Sequence, residues 1–336
     1  MANLLFTNSS LTNSSTEPSR SWTAVLILRR LVLGMALLTL FLMALGSATR
    51  VMNAGLACPD WPLCYGTLVP RQQMNLQVFL EWFHRLIASS LGLLTLTLTG
   101  LAWAWRRQLP NWLPAAASFS LFLVILQGVL GGLTVTELLR FDIVTAHLGT
   151  GLLFFTTLLT IGLMLLPYQG TGVAGKLPWF SLTAAVLVYL QSLLGGLVAS
   201  QWALHQCLNG SRLCGVMNSH LLGIVPASLA TLVVVFLAYR RAALHPLLRR
   251  FSQFAFLLLG LQLLLGYSTF RLQLHVPAVT VAHQFIGATL LGKLVAFTVI
   301  GLRDACQARS LSAVALDADS QDGGADRDPG QMLASS

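Results

Sequence analysis

The fold class predicted by the sequence is an all-α polytopic membrane protein, with eight transmembrane helices forming two tandem, parallel-repeat four-helix bundles. Three observations predict it. The 336-residue chain is 55% hydrophobic and only 9% charged, with a mean hydropathy of +0.74, whereas a soluble domain carries roughly 25% charged residues. Apolar runs lie near 31–48, 77–103, 112–136, 142–166, 178–200, 217–238, 251–270 and 278–301. Each approaches or exceeds the ~20 residues that cross ~30 Å of hydrocarbon. Finally, four histidines form two equally spaced pairs, His84 with His147 and His220 with His283.

In chain order, residues 1–27 form a polar extension without the charged-then-apolar order of a cleavable signal. The first run leads to a loop holding Cys58 and Cys64. The second run carries Glu81, His84 and Arg85. The third contains Gln127-Gly-Val-Leu-Gly-Gly-Leu-Thr, and the fourth opens with His147. Residues 28–167 thus make the first bundle. The fifth run leads to a second cysteine loop, with Cys207 and Cys214. The sixth carries His220, and the seventh contains Gln262-Leu-Leu-Leu-Gly-Tyr-Ser-Thr, which echoes the third. The eighth carries His283, preceded by alanine as His147 is. Residues 168–303 make the second bundle. Residues 304–336 are small, polar and acidic and are expected to be a disordered cytoplasmic tail.

The net charge of +9 is no nucleic-acid signal, because it is distributed as membrane topology. Arg20, Arg29, Arg30, Arg106, Arg107, Lys176, Arg240, Arg241, Arg249, Arg250, Arg303 and Arg309 fall in one set of segments. The alternate loops hold only Arg50, Arg71, Arg140, Arg212 and Arg271. The positive-inside rule then places both termini in the cytoplasm. Four spans per half is an even number, so both halves share one orientation and are related about an axis along the membrane normal. All four paired histidines then lie in the outer leaflet, and each pair can face across a bundle core.

Intramembrane histidine is costly and is a functional candidate by default. Any one of them could instead be a satisfied interhelical hydrogen bonder. Four in register across a duplication favour metal ligation, most simply axial ligation of heme iron. His205 and His275 have no repeat partners and read as loop residues. His245 lies in a basic loop and reads as having no site role. Glu81 precedes His84 by one helical turn on the same face, but its counterpart in the second half is Met217, and that of Arg85 is Leu221. A buried carboxylate beside a metal site can act as a base or stabilise a developing cation. Alternatively, Glu81 is a structural partner of an arginine such as Arg85. The asymmetry makes the first half the reaction site and the second an electron-transfer or structural heme site. The pairs Cys58/Cys64 and Cys207/Cys214 fall on the outer side and read as disulfides, with a zinc site as the competing reading, while Cys306 stands alone.

Several motifs in combination make the chain resemble the heme A synthase family over roughly residues 30–303. They are Gly46-Ser-Ala-Thr-Arg50, Gly55-Leu-Ala-Cys58-Pro-Asp-Trp-Pro-Leu-Cys64, Glu81-Trp-Phe-His84-Arg85, Thr145-Ala-His147-Leu-Gly, Asn218-Ser-His220 and Val281-Ala-His283-Gln. The resemblance implies an eight-span oxidoreductase of the bacterial plasma membrane that converts a ring methyl of heme O to the formyl group of heme A. It implies heme B as a cofactor ligated by His220 and His283, heme O bound near His84 and His147, and Glu81 as essential to catalysis. The two cysteine pairs resemble the bacterial branch of the family. Heme O synthase and cytochrome oxidase assembly are the expected partners, besides membrane lipid.

Two rival readings remain at this level. A non-enzymatic di-heme carrier of the b type explains both histidine pairs but not the asymmetry at Glu81 and Arg85. A parallel-repeat transporter would show polar residues along a path and helix interruptions at mid-bilayer, whereas the polar residues here cluster at one side.

Overall fold

The structure is a computed structural model that describes residues 18–199, 213–272 and 275–325. Among these, it contains eight helices: α1 (Pro18–Val51), α2 (Leu76–Ala104), α3 (Leu113–Thr136), α4 (Phe141–Met164), α5 (Leu177–Val198), α6 (Leu213–Arg240), α7 (Pro246–Arg271) and α8 (Pro277–Ala325). All eight carry a stretch long and apolar enough to cross a membrane, from Trp22–Val51 to Pro277–Gln307. The predicted all-α, eight-span fold is what the chain adopts.

Local signals set several helix ends. Asn75 caps α2 by accepting a hydrogen bond from the Val78 amide at 3.0 Å. Proline stands in the first turn of α3, α5 and α7, where no intrahelical donor is lost. The His245 ring accepts from the Leu247 amide at 3.1 Å and lies against Tyr168. His245 is therefore a cap for α7.

Helices α1 to α4 pack in a ring, each against the next and α4 against α1; α5 to α8 repeat that ring. Neither diagonal pair that carries the histidines, α2 with α4 or α6 with α8, is close-packed among the described residues. Helix α8 also packs on α1 and α4, so it joins the two bundles. This explains why 61% of its apolar window is buried, against 11% for α7.

The apolar cores occupy only part of each bundle. Leu28, Val32, Met35, Leu98, Leu113 and Leu158 fill the first bundle at the end away from the Cys58–Cys64 loop. Ala184, Val234, Leu248, Leu294 and Phe297 do the same in the second. The histidines come from the opposite portion of each bundle.

Two sequence boundaries need correction. Helix α1 begins at Pro18, inside the extension expected over 1–27, and Ala24 is already buried. The tail expected to be disordered from residue 304 instead continues α8 to Ala325. Asp304 is 0% exposed and accepts from the Thr171 amide at 2.7 Å, the Ala174 amide at 2.8 Å and the Tyr168 hydroxyl at 3.0 Å. Arg303 donates to the carbonyls of Leu163 and Leu166 at 2.7 and 2.8 Å. This middle stretch of α8 thereby satisfies backbone groups left free where α4 ends and the chain crosses to α5. A pattern of local acidity cannot show that long-range role. Burial and the bond to Asp304 push the Tyr168 hydroxyl pKa well above the ordinary tyrosine value.

Candidate functional site

Each paired histidine lies against a glycine of the preceding helix in its ring. A Cβ on Gly46 of α1 would stand 3.0 Å from His84 Nε2, and one on Gly131 of α3 would stand 3.5 Å from His147 Cε1. In the second bundle, a Cβ on Gly195 of α5 would stand 3.0 Å from His220 Cε1, and one on Gly266 of α7 would stand 2.9 Å from His283 Cε1. Glycine at 46, 195 and 266 lets His84, His220 and His283 approach the neighbouring backbone more closely than a larger residue would allow, whereas at Gly131 a Cβ would make only ordinary contact with His147. A second feature recurs with it. Gln127 donates to the His147 carbonyl at 2.8 Å, and Gln262 lies 3.5 Å from the His283 ring. Gly151 and Gly287 make room for these two glutamines.

All four rings are half-buried. His84 and His147 stand within Coulombic range of each other, and so do His283 and His220. The Nδ1 atoms of His147, His220 and His283 are buried without a hydrogen-bond partner, as are the side-chain oxygens of Gln127 and Gln262. Unpaired buried polar atoms are rare and ask for an explanation. Two imidazoles on helices that are not close-packed against each other suit an iron whose equatorial positions a porphyrin already occupies. Among the described residues, no cluster of three or more His, Cys, Asp or Glu side chains could hold a metal ion. A zinc cage needs about four such ligands. The donor set therefore fits heme better than a protein-built metal centre.

The first bundle has an additional assembly at its open end. Cys58 and Cys64 form a disulfide, which corrects the zinc alternative for this pair. Glu81 is 4% exposed. One of its oxygens pairs with Arg85, and the other accepts from the Cys58 amide at 2.8 Å. Arg85 also donates to the carbonyls of Asp60, Leu63 and Cys58. The structural reading of Glu81 as an arginine partner is thus realised, and its carboxylate is turned toward the disulfide loop. The loop is further folded by Asp60, which accepts from the Tyr65 and Gly66 amides at 2.6 and 2.7 Å. The Gly66 amide, first among these donors, holds the Asp60 carboxyl below the usual carboxylate range. Trp61 places its ring against Gly132 of α3, so the loop reaches across the bundle mouth.

A family model described as cytochrome oxidase assembly protein, COX15-CtaA, matches residues 29–295, a stretch that includes both histidine pairs and the disulfide loop. The chain belongs to the COX15-CtaA family. Among curated relatives of this COX15-CtaA protein, the heme A synthase of Shewanella oneidensis is 33% identical over 50% of the chain and 56% of its own length. That of Novosphingobium aromaticivorans is 27% identical over 55% of the chain and 63% of its own length. That of Bacillus licheniformis is 29% identical over 37% of the chain and 41% of its own length. The chain spans about half the length of the curated relatives it matches.

Several site features escaped the sequence reading. Gly46, Gly131, Gly195 and Gly266 carry no chemistry of their own, although Gly131 and Gly266 fall at matching places in the quoted repeat. Lys293, inside α8, has its ammonium 5.6 and 5.4 Å from the ring centroids of Phe251 and Phe254. Cys207 and His205 lie outside the described residues, as does the expected Cys207–Cys214 link. His275 lies between α7 and α8 with its ring near the Leu272 carbonyl. Mass mapping without reductant is expected to link Cys58 with Cys64 and Cys207 with Cys214 and to find Cys306 as a free thiol. Recovery of Cys207 and Cys214 as free thiols from freshly isolated protein would reject the second link.

Proposed function

We propose that this COX15-CtaA protein is a heme A synthase, oxidising a ring methyl group of heme O to the formyl group of heme A for terminal oxidases. One observation carries the reading: the glycine-backed histidine pair occurs in both bundles, but among the described residues only the first adds an ion-paired carboxylate beneath a disulfide-closed loop. Residues 28–167 then form the substrate half, with heme O between His84 and His147. Residues 168–303 form the cofactor half, with heme B between His220 and His283.

Bound heme supplies redox chemistry that no side chain offers. The chain supplies orientation and charge. The four imidazoles fix where a porphyrin lies in each bundle, and the glycines behind them fix where each imidazole lies. Glu81 already has both oxygens engaged, so it acts as a positioned negative charge rather than as a mobile base. Such a charge favours positive charge developing beside it without reorganisation. Arg85 holds that charge in register with the loop, and Trp61 limits water at the bundle mouth. The long isoprenoid tail of heme O would leave through a lipid-facing gap between helices. The protein acts in the bacterial plasma membrane with both termini cytoplasmic. Heme O synthase supplies the substrate, and cytochrome oxidase assembly consumes the product.

The near-equivalence of the two histidine pairs favours one other reading, a non-enzymatic di-heme electron carrier of the b type. Pigment extraction separates them. Purified protein given heme O and an electron acceptor is expected to accumulate heme A on chromatography while its heme B stays constant. Two identical, stably bound hemes and no heme A would overturn the enzyme reading.

A further inference from the structure

Arg50, in the last turn of α1, is a half-buried cation without an acidic partner among the described residues. Its Nη2 donates to the Gln284 side-chain oxygen at 3.3 Å, and its Nε is buried with no partner at all. The ion pairs found are Arg85 with Glu81, and Arg140 with Glu137 and Asp142. Glu81 is thus already committed elsewhere. A guanidinium partly withdrawn from water without a counter-charge, with its Nε buried and unbonded, is disfavoured, which makes it a candidate half of a ligand contact.

Its position says which site it serves. Arg50 follows Gly46 by four residues, so both project from one face of α1. Gly46 lies against His84. Arg50 therefore lies on the face of α1 that carries Gly46, one turn nearer the disulfide loop. Gln284, its one hydrogen-bond partner, immediately follows His283 on α8, which packs against α1. Arg50 thus lies where the first bundle meets the second.

We propose that Arg50 is the carboxylate anchor of the first-bundle site, where its guanidinium receives a propionate of the bound porphyrin. This rests on the reading of that bundle as a heme site. A heme of the protoheme series is a dicarboxylate, and arginine's planar fork matches a carboxylate better than any other side chain. With one propionate held at the loop end, the macrocycle cannot turn freely between His84 and His147. Arg50 then selects which ring substituent lies beside Glu81, and so acts as a positioning residue.

Esterification of the propionates provides the test. Wild-type protein with its second-bundle heme in place is titrated with heme O and with heme O dimethyl ester in the same detergent, and binding is followed by the Soret band and tryptophan quenching. Wild type is expected to favour the acid by roughly 10- to 100-fold over the ester, the range for a hydrogen bond to a charged group. Arg50→Gln should bring that ratio to within about 3-fold of unity, and Arg50→Lys should retain part of it. Comparing ratios between proteins cancels the difference in detergent partitioning. Equal binding of acid and ester by wild type, or an unchanged ratio in Arg50→Gln, overturns the anchor and leaves the heme reading standing. If neither compound changes the wild-type spectrum, the heme reading of the first bundle fails and the anchor fails with it. If Arg50→Gln does not fold, Arg50→Lys supplies the comparison between proteins, and a ratio in it equal to that of wild type overturns the anchor.

Discussion

Glu81→Gln is expected to keep the fold and both heme sites yet lower heme A formation by about 10²–10³, the usual cost of removing one preorganised stabilising group. Glutamine keeps the shape and can still accept from the Cys58 amide, as Glu81 does at 2.8 Å. Arg85 would lose its ion pair but keep the carbonyls of Cys58, Asp60 and Leu63. The structural penalty is therefore about 1–3 kcal/mol, the range for weakening one charged hydrogen bond, and not the collapse of an isolated buried charge. A second variant separates the two roles of the carboxylate. Arg85→Gln breaks the same ion pair from the other side and leaves the charge on Glu81. If Glu81 only braces the loop, both variants should lose activity equally. If its charge serves the reaction, Glu81→Gln should be at least tenfold worse. Wild-type rates of heme A formation by Glu81→Gln would rule out a required charge.

His220→Ala or His283→Ala is expected to eliminate tightly bound heme B and its low-spin spectrum, since one imidazole cannot maintain six-coordinate iron. Each imidazole is seated against a glycine, Gly195 or Gly266, which offers no ligand of its own. Heme O binding in the first bundle should survive, because His84 and His147 are held by a separate ring of helices. That survival also reports on folding. An unchanged low-spin spectrum in both variants would reject the second-bundle site, and a heme lost from the first bundle instead would reverse the assignment of the two halves.

Much of this architecture follows from composition and periodicity. Eight apolar runs must become eight helices, because a bilayer offers backbone groups no other partner. The histidine pairs were legible for a related reason. An ionisable residue inside an apolar run is conspicuous, and its recurrence at equal spacing leaves little room for accident. The disulfide between Cys58 and Cys64 was legible from loop length and side of the membrane. The role of Asp304 was not legible, because it depends on which carbonyl and amide groups the chain leaves free some 130 residues earlier in the sequence. Nor was the seating of each histidine on a glycine, since a residue without a side chain signals only when its neighbour is known.

Sequence alone therefore determined the membrane class, the number of spans, the duplicated histidine pairs and the asymmetry at Glu81. Each is a property of residue type and spacing along one chain. Tertiary structure decided the rest. It showed that Glu81 is spent on Arg85 and the Cys58 amide, that α8 joins the two bundles, and that Arg50 stands beside Gln284 with no acidic partner among the described residues. These depend on which faces meet when helices pack, and that is settled by contacts between segments far apart in the chain.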